Sequence, residues 1–132
     1  MKITVIDGQG GMLGSALVKE IVAQIPEATV TAIGTNSAAT AAMLKAGATR
    51  AATGENPVVV ACRDADFILG PIGIVIADSL LGEITPTMAA AVGASSAKRI
   101  LIPMNKCDTV VAGVGASSTA ELISDAVSSI KR

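Results

Sequence analysis

The chain alternates short apolar runs with longer stretches in which apolar residues recur at helical spacing. Ile3 to Ile6 is an unbroken apolar run of the kind found in a buried parallel strand. Leu13, Leu17 and Ile21, with Val18, Val22 and Ile25, then repeat every three or four positions, and Lys19, Glu20 and Gln24 fall on the opposite face. Pro26 ends that helix. A second strand spans Thr29 to Ile33. Asn36 or Ser37 caps an alanine-rich helix that stops at Gly47. Arg50 to Thr53 reads as a third, weaker strand.

Asn56-Pro57 reads as a cap followed by a first-turn proline, although Val58, Val59 and Val60 favour a strand. Asp66 to Leu69 is a fourth strand, and Gly73 to Leu81 is predicted helical. Thr85-Pro86 starts a helix reaching about Val92. Arg99 to Ile102 is a fifth strand, and Thr109 to Ala112 is a candidate sixth. Ser118 to Glu121 fits a capping box for a last helix that turns Leu122, Ile123, Ala126, Val127 and Ile130 inward. Strands separated by helices imply right-handed crossovers. The expected fold is α/β, a three-layer, mostly parallel, doubly wound sheet of five to six strands in one domain over residues 1–132.

Between the first strand and first helix lies "DGQGGMLG", Asp7 to Gly14. Gly8, Gly11 and Gly14 are spaced G-x-x-G-x-x-G, and Gly8, Gly10 and Gly14 are spaced G-x-G-x-x-x-G. Both are variants of the strand–turn–helix fingerprint of Rossmann folds. Glycines allow the tight turn and a close approach to phosphate, and the last lets helix pack on strand. Backbone N–H groups and the helix dipole then favour an anion. The same spacing is also compatible with a tight turn that holds nothing.

In a doubly wound sheet the first and fourth strands are neighbours, and ligands sit beyond the carboxyl ends of strands where the order reverses. The candidate binding residues are therefore Asp7, Gly8, Gln9, Gly10, Gly11, Met12 and Gly14, together with Thr35 and Asn36, Gly70, Pro71 and Gly73, and Asn105. Asp7 is open to three readings: it braces the turn, it binds Mg²⁺ next to phosphate, or it meets a ligand amine or hydroxyl. Bracing is favoured. Glu55, Asp78 and, similarly, Glu83 are further carboxylates that could reach the crevice, with a helix-terminus or solvated charge as the favoured reading of each, and Lys106 reads as a phosphate counter-charge or a solvated lysine. Cys62 reads as core. Cys107 reads as a small thiol with no histidine to activate it.

Composition narrows the chemistry. The 132 residues contain no His, Tyr or Trp and a single Phe, with ten basic and eleven acidic residues. Histidine-based catalysis and a structural zinc site are excluded. No basic run or aromatic platform suits nucleic acid. The apolar run from Phe67 to Ala77 is broken by Gly70, Pro71 and Gly73, and a bilayer span needs about 20 residues. The chain enters directly into a strand with no secretory signal, which predicts a cytoplasmic location. A mean hydropathy of +0.62 predicts a homo-oligomer.

"VIDGQGGMLGSALVKEI" resembles the start of the short-chain and extended dehydrogenase/epimerase proteins, which implies NAD(P) or another nucleotide. The chain departs from them in lacking any tyrosine for their active site. It also has Gly34-Thr35-Asn36 where an acidic residue usually grips the adenosine ribose. A second resemblance covers the whole chain. "IDGQGG", "GTNSAATAAMLKAGA", "ATGEN", "GPIGIVIADSLLGEITPTMA" and "ILIPMNKC" are similar to a family of short, uncharacterised bacterial Rossmann-like proteins. That resemblance implies the fold and names no reaction. Three functions remain: a module binding a nucleotide, dinucleotide or other phosphate-bearing ligand; a small NAD(P)-dependent oxidoreductase or Mg-dependent phosphate-handling enzyme; and an interaction protein with no ligand.

Overall fold

The computed structural model describes residues 1–104 and 108–132. Among them are five parallel strands: β1 (Lys2–Asp7), β2 (Thr29–Gly34), β3 (Arg50–Thr53), β4 (Phe67–Pro71) and β5 (Lys98–Ile102). Five α-helices alternate with them: α1 (Met12–Gln24), α2 (Ser37–Lys45), α3 (Glu55–Cys62), α4 (Pro86–Ala94) and α5 (Thr119–Ile130). The strand order is β3-β2-β1-β4-β5, so the chain winds outward from β1 in both directions. In register, Ile3 and Val5 of β1 lie opposite Val30 and Ala32 of β2 on one side and Phe67 and Leu69 of β4 on the other. This is the three-layer, Rossmann-like α/β arrangement.

Period-two alternation splits the core into two layers. Ile3 and Val5 pack with Leu17, Val18 and Ile21 of α1, Met43 of α2, and Ile123, Ala126 and Val127 of α5. Ile6, Ile33 and Ile68 point the other way, onto Val58 and Cys62 of α3 and Met88, Ala89 and Val92 of α4. Helix ends follow local chemistry. The Asn36 side-chain oxygen Oδ1 accepts the Ala39 N–H (2.9 Å) at the start of α2. Ser118 and Glu121 close the reciprocal capping box of α5.

Three expectations are corrected. Gly73–Leu81 is not a helix: a short 3₁₀ turn, Ile72–Val75, leads into an irregular segment. β-branched Ile72, Ile74, Val75 and Ile76 are weak helix formers, and Asp78, Leu80 and Leu81 take left-handed φ angles of 64°, 54° and 57°. Thr109–Ala112 forms no strand. The third helix starts at Glu55, where Gly54 at φ 109° takes the cap position in place of the anticipated Asn56. The Val58–Val60 run lies within the helix, its Val58 buried against the sheet, so tertiary packing overrides β-propensity. Among the described residues no helix is long and apolar enough to cross a membrane.

Candidate functional site

β1 ends at the centre of the sheet, where the chain leaves for one face through α1 while β4, its neighbour, leaves for the other. That divergence opens a crevice at the carboxyl edge. The Gly8–Gly11 turn fills its floor, closed by the Gly11 N–H donating to the Gly8 carbonyl (2.9 Å). Gly11 caps α1 with a left-handed φ of 73°, and a methyl group there would lie 2.7 Å from Ala39 Cα. At Gly14 a methyl group would lie 2.6 Å from Met43 Sδ and 2.7 Å from Asp7 Cβ. The last glycine of the motif thus serves the contact of helix on strand.

Asp7 is 6 % exposed. Its two carboxylate oxygens accept the Gly8 N–H (2.8 Å) and the Gly14 N–H (2.7 Å). The carboxylate therefore braces the turn and the first turn of α1, where its charge also suits the helix dipole. Among the described residues no group of three or more His, Cys, Asp or Glu side chains is placed to hold a metal ion.

Residues 76–84 fold into a tight return. Ser79 is buried and its hydroxyl donates to the Gly73 carbonyl. The Asp78 N–H donates to the Ile84 carbonyl (2.7 Å) and the Ile84 N–H to the Ser79 carbonyl (3.2 Å). This return carries Glu83 across the sheet edge to the end of β2. There one carboxylate oxygen accepts from the Gln9 N–H (2.8 Å), Asn36 Nδ2 (2.9 Å) and the Thr35 hydroxyl. Burial opposes the charged form of Glu83, but hydrogen bonds from Thr35, Gln9 and Asn36 outweigh it and hold the carboxyl below its usual range. Asn36 Nδ2 also donates to the Gln9 carbonyl (2.9 Å).

On the β4 side of the glycine turn a cleft of about 390 Å³ remains. Leu13 and Ala16 of α1 form one wall, Pro71, Gly73 and Leu80 another, and Met104 and Thr119 the far end. Among the described residues no lysine or arginine lines it. Met12 and Leu13 sit in the first turn of α1, where N–H groups have no helical acceptor. Neither N–H has a hydrogen-bond partner among the described residues. The site therefore offers backbone donors and a helix dipole at one end and aliphatic surface over the rest.

A family model described as Domain of unknown function (DUF3842) matches residues 2–132. The chain belongs to this family. No curated protein and no solved structure matches it.

In this DUF3842 chain the cleft gathers eight of the residues singled out from the sequence: Asp7, Gly8, Gln9, Gly10, Gly11, Met12, Pro71 and Gly73. The others are placed elsewhere. Gly14 lies behind the turn against Met43. Gly70 lies within the sheet, where a methyl group would meet the Ile6 carbonyl oxygen at 2.4 Å. Thr35 and Asn36 do not line the cleft; both are bonded to Glu83. Asn105, with Lys106 and Cys107, lies outside the described residues. Glu55 accepts the Thr85 hydroxyl (2.6 Å), linking the starts of α3 and α4 away from the cleft.

Sequence reasoning missed Leu13, Ala16, Leu80, Met104 and Thr119 as lining, and favoured a helix-terminus or solvated charge for Glu83. One signal for Glu83 was available. Thr35 and Asn36 put donor side chains at a strand end with no local carboxylate, and such donors need an acceptor from elsewhere.

Proposed function

We propose that this DUF3842 protein is a binding module for a nucleotide or other phosphate-bearing ligand held above the Gly8–Gly14 turn. One observation carries this reading: Met12 and Leu13, whose first-turn N–H groups have no hydrogen-bond partner among the described residues, line a cleft of about 390 Å³. That size falls within the range of about 300–1,000 Å³ common for small-molecule sites. An anionic group at the helix start gains from the dipole and the donors, and the aliphatic walls suit the less polar body of the ligand. Native mass spectrometry of gently purified protein, followed by denaturation, tests the reading. A released phosphate-bearing compound is the expected result. A protein that is empty and whose melting temperature ignores millimolar nucleotides removes the reading and leaves the turn as architecture.

The proposal includes a homo-oligomer that does not engage nucleic acid or membranes. A mean hydropathy of +0.62 supports self-association, as do exposed Met12 and Leu81, 84 % and 96 % accessible. Sedimentation equilibrium at micromolar concentration tests it, and a monomer there rejects it.

A further inference from the structure

A dinucleotide on a doubly wound sheet needs both sides of the central crevice. Its pyrophosphate sits on the glycine turn and its adenosine ribose meets a carboxylate near the end of the second strand. Here the two sides are unequal. The β4 side is open as the cleft, whereas no residue of β2 or of the turn after it lines any part of that space. The β2 side is filled by the chain itself. Glu83 Oε1 already takes three donors there, two of them side chains at the β2 end. A methyl group on Gly8 would lie 2.7 Å from Thr35 Oγ1, 2.9 Å from Glu83 Oε1 and 3.0 Å from Leu80 Cδ1. Glycine turn, β2 end and the 80–83 return thus touch with no gap between them.

We propose that Glu83 is a specificity-determining residue: by wedging the β2 end it restricts the site to ligands with one nucleoside or similar single body, and excludes dinucleotides. The inference rests on the phosphate-binding reading above and names the ligand class within it. Two effects act together. The wedge occupies the space an adenosine ribose requires, and opening it breaks hydrogen bonds to a charged acceptor. A mononucleotide avoids both effects by placing its phosphate at the start of α1 and its body along Leu13, Ala16 and Met104.

Calorimetric titration of the whole chain with ADP and separately with NAD⁺ tests this. ADP is expected to bind tighter than NAD⁺ by about tenfold or more. In Glu83→Ala that ratio is expected to shrink by about tenfold, because NAD⁺ gains. NAD⁺ binding the wild-type chain as tightly as ADP overturns the inference and leaves the phosphate reading standing. A ratio unchanged in a folded Glu83→Ala chain also overturns it. The wild-type comparison needs no variant, so a variant that fails to fold does not protect the claim. If ADP, NAD⁺ and inorganic phosphate all fail to bind the wild-type chain, the phosphate reading itself falls, and the selectivity with it.

Discussion

Single residues in the glycine turn divide into those that serve packing and those that serve the cleft. Gly14→Ala forces a methyl group into Met43 and Asp7. It is expected to lower stability by about 1–3 kcal/mol, read from the urea midpoint. Gly10 is different: among the described residues nothing lies within 4 Å of a methyl group built there, and Gly10 lines the cleft. Gly10→Ala should change stability by less than about 0.5 kcal/mol while weakening ADP binding. Equal loss of stability in both variants contradicts this division. Asp7→Asn turns an amide donor toward the Gly8 or Gly14 N–H, and should cost about 1–3 kcal/mol for the group left unpaired. Cys62 makes no such contribution to the cleft. Burial pushes its thiol up to about 11, so at pH 8 it should resist alkylation in the native protein and react on unfolding. Peptide mapping resolves it from Cys107.

At the scale of elements, the 76–84 return and its Glu83 wedge carry a pH signature. The folded-state carboxyl of Glu83 lies below its ordinary value of 4.5. The network therefore gives its full stability above about pH 4.5 and loses it as pH falls through the lower, folded-state value. Thermal melts in that acid range should show a steeper decline for the wild-type chain than for Glu83→Gln; parallel declines refute the assignment. The strands and the helices α1, α2, α4 and α5 were legible in sequence because their periodicity, caps and stop signals agree locally. Ser118–Glu121 even gave its reciprocal cap. The return was not legible. Its shape depends on Ser79 reaching Gly73 and on Leu80 and Leu81 accepting left-handed angles, neither of which leaves a period or a cap. For the same reason the floor of the cleft was readable from glycine spacing, while Leu80, Met104 and Thr119 were not. They meet only when β4, β5 and α5 are laid side by side.

For the whole molecule, the Glu83–Gln9 hydrogen bond spans a separation of 74 residues. The central strand β1 likewise pairs on one edge with residues 29–34 and on the other with 67–69. During synthesis from the N-terminus, the entire glycine motif leaves the ribosome long before β4, the wedge or the α5 end of the cleft exist. A chain interrupted after Cys62 would carry the complete sequence signature of the site. It would lack one neighbour of β1, the wall formed by Pro71, Gly73 and Leu80, and the carboxylate that blocks the β2 side. The complete cleft thus arrives late in translation, together with the long-range pairing that is slow to form. A truncated gene product bearing this motif would look like a binding protein on paper and have no cleft to bind with.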